Sequence, residues 1–357
     1  MFFRSKNIAF GLDVSDRSIK LAELKLRKNI HGEESLVLTG HNELFIPPDI
    51  IVDGEIKNYP AAVQAIKTCL KNVRGRPLSA RAVVASLPES QCYLKMLDTP
   101  KNNVEAISPK IIRGLACQHF PTEENELYYD WQIINGNKII IGAAARNTVD
   151  SYAEIIEQAG LIPLSLEIES IAIARALIKK EGARKNDARV LIDLGAGHSS
   201  IIVVRDGNPI LTLNMPLSGN AMTKAIAESQ KLTIERAEAL KIKCGLDLKN
   251  CPASVKKTIG DIINSSVKQI RCGLQYVGRI LKYRFDKIYI CGGVAGMNKI
   301  APILSDRLKI KVRLADPLAN IILDKTIKLA GGELLKYTTA IGLAIRGTEY
   351  DLLKLKK

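Results

Sequence analysis

VLIDLGAGHSS, residues 190–200, is the stretch that decides the fold. Val190–Leu194 is an apolar run that predicts a buried strand, GAGHS predicts a tight turn, and Ile201–Val204 predicts a second strand. Asp193 lies close to the end of the first strand. A turn of this kind presents several backbone N–H groups to one side, and its small residues let a phosphate approach closely. The stretch therefore predicts a hairpin that can bind phosphate.

The same arrangement occurs at the start of the chain, in IAFGLDVSDRS, residues 8–18. Asp13 and Asp193 are 180 positions apart, and each is followed by a turn of small residues and a second strand. A third strand follows in both places, Leu36–Gly40 and Ile210–Met215. The chain therefore looks duplicated in structure, although the two copies share little sequence.

The matched aspartates indicate a cleft between the two copies. One such turn is usually an ordinary hairpin, but two turns with equivalent aspartates favour a shared site. Carboxylates that face each other beside a polyphosphate are natural ligands of Mg²⁺. We therefore expect Asp13 and Asp193 to lie near a metal ion, with phosphates between the two turns.

Two segments fall outside the duplicated plan. Residues 87–161 contain extended runs and helices predicted at Val104–His119 and Val149–Ala159, which indicates a small α+β insertion. Residues 233–285 are mostly helical, with an apolar stripe from Ile263 to Leu281 that predicts a core-packing helix. The Lys-rich stretch 179–189 is the expected connector between the copies.

Composition limits the class of protein. The 357 residues suit two or three domains or one large two-lobed body, and a hydrophobic content of 46% excludes general disorder. The net charge of +15 favours anionic ligands or partners without choosing among them. No run approaches the roughly 18 apolar residues of a spanning helix, and the apolar start meets Asp13 before it can act as a signal segment. We therefore expect a cytoplasmic protein.

Cysteine and histidine usage gives no metal or disulfide motif. The seven cysteines include no C-x-x-C pair, and the four histidines do not cluster with them. We expect reduced and mostly buried thiols.

Three further motifs are ambiguous when each is taken alone. LSGN, residues 217–220, opens a helix whose N-terminus could bind an anion, but Ser218 or Asn220 could equally be an ordinary N-cap. Glu238 and Lys241 share one face of a helix, where they could reach a ribose or form an exposed ion pair. CGGVAGM, residues 291–297, could pass beside a planar base or be a simple strand–helix turn.

Taken in order, these motifs resemble those of the actin-like ATPase superfamily. GLDVSDRS and LIDLGAGHSS resemble the phosphate-1 and phosphate-2 segments, LSGNAMT the connecting helix, AEALK the ribose contact, CGGVAGM the adenosine loop and TTAIGLAIRG the closing helix. Within the superfamily the chain is most similar to the PilM family of type IV pilus assembly, and next to the FtsA family. Residues 2–15, 86–90, 119–133 and 159–177 carry the similarity to PilM.

The resemblance implies a fold and its subdivision. The fold class is α/β, a duplicated actin-like (ribonuclease H-like) two-lobed ATPase fold with an FtsA-type 1C insertion. The implied subdomains are 1A at residues 1–85 and 163–188, 1C at 86–162, 2A at 189–224 and 286–357, and 2B at 225–285.

The resemblance also implies ATP and Mg²⁺ binding. Asp13 and Asp193 would be near the metal, and Glu238 and Lys241 near the ribose. The implied phosphate contacts are Ser15, Asp16, Arg17, Ser18, Gly195, Ala196, Gly197, His198, Ser199 and Gly219, and the implied adenine contacts are Gly292, Gly293 and Met297. Ser15 stands where many relatives have glycine, and His198 could either touch a phosphate or tilt toward solvent.

In the PilM family the partner is the cytoplasmic N-terminal tail of the inner-membrane protein PilN, bound between 1A and 1C. The resemblance therefore implies a place in the pilus assembly complex and recruitment to the cytoplasmic face of the inner membrane through that partner. The motifs do not say which residues line the groove, and they leave self-association open. We expect no nucleic-acid role, because no recognised module accompanies the basic charge.

Hydrolysis and two other functions stay open. No motif supplies an obvious general base, so we expect weak or undetectable ATPase activity. An FtsA-like filament scaffold is one alternative, although the chain ends at residues 349–357 without the linker and amphipathic helix typical of FtsA. A sugar-kinase-like phosphotransferase is another, but it needs an acceptor-site aspartate that the sequence does not reveal.

Overall fold

The computed structural model describes residues 9–28, 31–98, 109–119, 126–135, 138–179, 188–215, 217–246 and 251–354. The opening residues 2–8, the first turn of the helix predicted to begin at Val104, and most of the predicted connector lie outside these ranges.

The first lobe is built around a sheet of seven strands, with order β11 (Ile162–Ile168), β7 (Ala82–Leu87), β1 (Ala9–Val14), β2 (Ser18–Lys28), β3 (Glu34–Phe45) and β17 (Ile322–Leu323), and with β6 (Arg74–Gly75) paired to β3. All six residues of its first strand are buried, as expected for an apolar run covered on both faces. The elements up to the insertion are β1 (Ala9–Val14), β2 (Ser18–Lys28), β3 (Glu34–Phe45), β4 (Ile51–Val52), β5 (Glu55–Ile56), α1 (Tyr59–Lys71), β6 (Arg74–Gly75) and β7 (Ala82–Leu87).

The insertion predicted from residues 87–161 is an α+β unit. Its elements are β8 (Cys92–Asp98), α2 (Pro109–His119), β9 (Leu127–Asn135), β10 (Lys138–Ala145) and α3 (Arg146–Gln158). The chain then returns to the first sheet as β11 (Ile162–Ile168), which lies parallel to β7, and continues into α4 (Glu169–Leu177). The insertion is therefore held between β7 and β11 of one lobe.

The second lobe repeats the opening of the first. Its elements are β12 (Ala188–Leu194), β13 (Ser199–Arg205), β14 (Asn208–Met215), α5 (Gly219–Gln230), α6 (Ile234–Cys244), α7 (Ala253–Leu281), β15 (Lys287–Cys291), α8 (Ile300–Leu308) and β16 (Lys311–Leu314). The sheet order is β16-β15-β12-β13-β14-β8-β10-β9, so the insertion extends this second sheet through the pairing of β14 with β8.

Register confirms the duplication. In the first hairpin Asp13 lies opposite Lys20, and in the second Asp193 lies opposite Ser200. Each aspartate thus pairs with the residue seven positions later, and both hairpins are antiparallel. The two copies therefore place their carboxylates at equivalent points.

The apolar stripe of α7 is confirmed as a packing face. Its buried residues follow helical spacing: Val255, Ile259, Ile263, Val267, Ile270, Leu274 and Val277. The preceding helix α6 begins after Thr233, whose side chain accepts a hydrogen bond from the backbone N–H of Arg236, and ends at Gly245, which has a positive φ.

The final segment, β17 (Ile322–Leu323), α9 (Gly331–Leu334) and α10 (Thr338–Lys354), returns to the first lobe. β17 pairs with β3, and α10 packs on β1, β2 and α4. A Cβ on Gly342 would lie 1.9 Å from the carbonyl oxygen of Ala172, so the helices approach closely. These contacts correct the prediction that all of residues 286–357 belong to the second lobe.

Cysteine pairing also differs from the prediction. Cys244 and Cys251 form a disulfide with Cα atoms 5.6 Å apart, within the usual range. The pair escaped a search for C-x-x-C spacing because the two cysteines are seven positions apart. Cys69, Cys92 and Cys291 are buried free thiols. Among the described residues, no helix combines the length and apolar character needed to cross a bilayer.

Candidate functional site

A cavity of about 320 Å³ lies between the two duplicated hairpins. All of the residues predicted from the sequence to contact nucleotide or metal line it, except Ser199. Ser199 is buried at the start of β13, next to the lining residue His198, and its predicted contact with a phosphate stays a prediction. The structure therefore gathers the separate motifs into one cleft.

Two aspartates stand at the floor of the cleft. Asp13 accepts hydrogen bonds from the Ser86 hydroxyl at 3.1 Å and from Lys20 Nζ at 3.3 Å. Burial, together with the charge of Asp13, raises the pKa of Asp193 to about 6. Asp193 also accepts a hydrogen bond from the Cys291 thiol at 3.6 Å. Because burying two ionised carboxylates together is costly, this donor set fits a hard divalent cation such as Mg²⁺.

The phosphate-1 turn is closed by its serines. The Ser15 backbone N–H and hydroxyl both donate to the carbonyl oxygen of Ser18, at 3.1 and 3.0 Å. Serine therefore takes the place of glycine here by turning its hydroxyl into the turn.

Asp16, in the same turn, accepts hydrogen bonds from the backbone N–H groups of Asp53 and Gly54, at 3.1 and 2.9 Å. Burial raises the pKa of Asp16. Asp16 also meets the second lobe, because a Cβ on Gly197 would lie 2.8 Å from its Oδ2. The two phosphate turns are thus in contact at this point.

His198 reaches across to the first lobe. Its Nδ1 lies 3.7 Å from Asp16 Oδ2, and its Nε2 lies 3.4 Å from Asp53 Oδ1. The imidazole thus lies between the two lobes and lines the cleft, and its predicted contact with a phosphate stays a prediction.

The predicted helix N-terminus and ribose pair form one network. Ser218 is the N-cap of α5, accepting from the backbone N–H of Ala221 at 3.1 Å. Lys241 is 6% exposed, so it is not half of a solvated ion pair. Its Nζ donates to Glu238 at 2.6 Å, to the Thr223 hydroxyl at 2.9 Å and to the Gly219 carbonyl oxygen at 3.1 Å. The network joins α6 to the start of α5.

The two glycines of the adenosine loop have different roles. Gly292 has a φ of +86°, and a Cβ there would lie 2.4 Å from Asp193 Oδ1. The absence of a side chain at Gly292 therefore lets the loop pass close to the Asp193 carboxylate, and its predicted contact with adenine stays a prediction. Gly293 has no atom within 4 Å of its Cβ direction and faces the open cleft.

Several cleft residues were missed by the sequence analysis: Lys20, Glu43, Phe45, Glu89, Glu169, Ile242, Lys336, Thr338 and Thr339. Lys20 could have been found, since it shares a strand face with Ser18. Burial raises the pKa of both Glu89 and Glu169, and the charges of Asp13 and Asp193 raise the pKa of Glu169 further. The cleft floor is therefore rich in carboxyl groups, with Lys20 as a neighbouring cation.

A second cavity, of about 340 Å³, lies between the insertion and the first lobe. We call it the insertion groove. It runs between β9, an end strand of one sheet, and β11, an end strand of the other. Its wall includes Tyr128, Trp131 and Ile168, together with an ion pair in which Arg175 holds Glu167 at 2.6 Å. The groove can accept an extended peptide that carries apolar side chains.

The two duplicated hairpins, the intervening cleft and the helical insertions define a protein with the actin-like ATPase fold. Solved structures agree. MreB5 of Spiroplasma citri bound to AMPPNP matches 97% of this chain and 96% of its own, with a TM-score of 0.53 and 12% identity. A PilM-PilN type IV pilus biogenesis complex matches 95% of this chain and 98% of the other, with a TM-score of 0.81 and 23% identity.

The chain belongs to the family of the type IV pilus assembly protein PilM, whose family model matches residues 11–348. It is also similar to the cell division protein FtsA of Bacillus subtilis (strain 168), with 24% identity over 267 residues, or 68% of this chain and 56% of FtsA. FtsA of Streptococcus pneumoniae is 22% identical over 307 residues, covering 78% of this chain and 64% of FtsA. The matches thus span less than two thirds of these FtsA proteins.

Proposed function

We propose that the chain is an ATP-binding, Mg²⁺-dependent component of the type IV pilus assembly platform. In this proposal it binds the cytoplasmic N-terminal tail of a PilN-like inner-membrane protein, which recruits it to the cytoplasmic face of the membrane, and nucleotide controls that binding. Family membership and the likeness to a PilM-PilN complex support the proposal. The proposal also includes the subdomain limits predicted from the sequence, except that the segment from β17 to α10 is assigned to the first lobe.

The nucleotide would lie in the cleft. Asp13 and Asp193 would hold Mg²⁺, which would neutralise charge between the carboxylates and the phosphates. The backbone N–H groups of the two turns and the N-terminus of α5 would receive the phosphates. Glu238 and Lys241 would reach the ribose, and Gly292, Gly293 and Met297 would border the base.

The tail would lie in the insertion groove. The end strands β9 and β11 offer main-chain groups to an extended peptide, and the apolar wall offers contacts for alternate side chains. One side of the groove is charged, because it is lined by Glu167, Arg175 and Arg346. Arg346 Nε lies 3.4 Å from Glu167 Oε1.

The observation that carries the proposal is that the same two segments build both cavities. Leu87 lines the insertion groove, and Glu89, two residues later, lines the cleft. Ile168 lines the groove, and the next residue, Glu169, lines the cleft. The segments are joined directly, because the Ser170 N–H donates to Glu89 Oε2 at 3.0 Å. A movement of these segments when phosphates bind in the cleft would therefore also move residues that line the groove.

Slow hydrolysis fits the cleft floor. Glu169 is a carboxyl group near the aspartates that could accept a hydrogen bond from water. Burial, together with the charges of the neighbouring carboxylates, raises its pKa well above the usual range, which disfavours the ionised form that a general base needs. We therefore propose that binding, rather than turnover, is the main use of ATP.

Calorimetric titration tests the proposal. The protein is titrated with Mg-ATP and then with a synthetic peptide of the PilN-like tail, using wild type, Asp193→Ala and Trp131→Ala. We expect Asp193→Ala to weaken ATP binding. Trp131→Ala should weaken peptide binding and leave ATP binding unchanged. The peptide should bind wild type more tightly when ATP is present.

The control is Tyr276→Ala, because Tyr276 is 54% exposed on α7 and lines neither cavity. Failure of wild type to bind Mg-ATP would refute the nucleotide part. A peptide affinity that is unchanged by Trp131→Ala would refute the groove assignment.

A further inference from the structure

Two large apolar side chains stand at the mouth of the cleft, one on each lobe. Phe45 at the end of β3 is 74% exposed, and Ile242 on α6 is 69% exposed. They are the two most exposed large hydrophobic side chains among the described residues. Isolated exposed apolar residues are common, but here the two extremes line the same cavity from opposite sides.

The backbone under each side chain is fixed. Phe45 pairs with Ser18 in the β2–β3 register, and the N–H of Ile46 donates to the carbonyl oxygen of Arg17 at 3.0 Å. The ring is therefore carried by the phosphate-1 hairpin itself.

Ile242 is fixed from the other lobe. It follows Lys241, whose buried ammonium group is held by three hydrogen bonds. The end of α6 is tied to the loop after Met297, because the N–H of Leu246 donates to the carbonyl oxygen of Asn298 at 3.0 Å. Ile242 and the loop that contains Gly293 thus belong to one rim.

We infer that Phe45 and Ile242 form an apolar cap over the base and ribose of the bound nucleotide, an inference that rests on the proposed nucleotide binding. A polyphosphate offers nothing apolar to cover, whereas a purine has a planar face on which an aromatic ring stacks. When the nucleotide is bound, its nucleoside part lies between two side chains that otherwise face water. The cap makes affinity depend on the nucleoside and not only on the phosphates and metal.

The test compares two probes, Mg-ATP and inorganic tripolyphosphate with Mg²⁺, by calorimetry. Phe45→Ala and Ile242→Ala are each expected to weaken Mg-ATP by about 5- to 50-fold and to leave tripolyphosphate within about twofold of wild type. Phe45→Tyr, which keeps the ring, should retain most of the ATP affinity. Ile280→Ala is the matched control, since Ile280 is 54% exposed on α7 and does not line the cleft.

A second readout is the heat capacity change of ATP binding, which decides the matter if tripolyphosphate binds too weakly to measure. Burying the cap makes this change more negative in wild type than in either alanine variant. ATP affinities within about twofold of wild type, or equal losses for both probes, would overturn the cap. Asp193→Ala separates the two ideas, because it should weaken both probes. If wild type binds no Mg-ATP, both the proposed nucleotide binding and the apolar cap are refuted.

Discussion

The imidazole of His198 meets Asp53 across the cleft, with Nε2 3.4 Å from Oδ1. The other ring nitrogen, Nδ1, lies 3.7 Å from Asp16 Oδ2, so one side chain of the second lobe stands between two carboxylates of the first. Asp16 is in turn held by the N–H groups of Asp53 and Gly54. The contact links the lobes beside the phosphate turns, at the place where the two lobes would approach each other when the cleft closes.

His198→Gln should therefore weaken lobe closure. Asp53 is 80% exposed at its side chain, so the contact contributes little free energy, and we expect Mg-ATP affinity to fall by about two- to fivefold. Calorimetric titration with Mg-ATP measures the change. His31→Gln, outside the cleft, is the control. A Mg-ATP affinity equal to that of the control variant would contradict a role of the contact in closure.

Asp193→Asn should stabilise the protein while impairing its ligand binding. The pKa of Asp193 is raised to about 6, so ionising it costs folding free energy, and this cost grows as pH rises from about 4 through 6. At about pH 7.5 the metal-free variant should be more stable than wild type by about 1–3 kcal/mol, and the difference should vanish toward pH 4. Urea unfolding at several pH values measures this. Equal stability at all pH values would contradict the buried charge.

Lys241→Met should destabilise the second lobe. The substitution removes a buried cation from Glu238, from the Thr223 hydroxyl and from the Gly219 carbonyl oxygen. Leaving such groups unpaired costs about 2–4 kcal/mol. Lys243→Met, on the exposed side of the same helix, should stay within about 0.5 kcal/mol of wild type. Denaturant unfolding of both variants measures the loss of unfolding free energy. Equal losses in the two variants would show that the network does not contribute to stability.

Gly342→Ala should separate α10 from α4, because its Cβ would meet the Ala172 carbonyl oxygen at 1.9 Å. We expect a loss of about 3 kcal/mol or more, since both helices must shift. Gly260→Ala is the matched control: its Cβ direction in α7 is open, so alanine should stabilise that helix by up to about 1 kcal/mol. Thermal unfolding of the two variants should move in opposite directions. A stable Gly342→Ala protein would contradict the close packing.

The duplicated hairpins could be predicted because their pattern is local. Asp13 and Asp193 each end a strand and precede a turn within about ten residues, so the sequence carries strand, turn and carboxylate together. The order of the motifs then indicated the family, which the family model confirms over residues 11–348.

The missed features depend on contacts between distant segments. Glu169 lies in a segment that resembles PilM but had no site role assigned to it, and it reaches the cleft because β11 lies beside β7. The return of α10 to the first lobe rests on glycines whose partners are remote in sequence, such as Ala172 beside Gly342. The orientation of His198 depends on Asp53, which lies in a turn that the sequence analysis did not connect with the cleft. Such features follow from tertiary packing and carry no local signal.

Glu89 offers the sharpest test of communication between the cleft and the insertion groove. Its side chain accepts from the N–H of Ser170 at the start of α4, and its own N–H donates to Glu169 at 3.4 Å. Glu89→Ala removes the side-chain part of the link between the two segments that build both cavities and keeps the backbone N–H that donates to Glu169, while leaving the phosphate turns and the groove wall in place. ATP and the tail peptide should each still bind the variant.

What should change is the coupling between the two ligands. In wild type, saturating Mg-ATP should tighten peptide binding by a factor of about 5 or more, and in Glu89→Ala the factor should fall to below about 2. Calorimetric titration of the peptide with and without Mg-ATP gives both factors. Glu157→Ala, an exposed carboxylate on α3 of the insertion, should keep the wild-type factor. If the factor survives in Glu89→Ala, nucleotide and tail communicate by a route that does not need the Glu89 carboxylate.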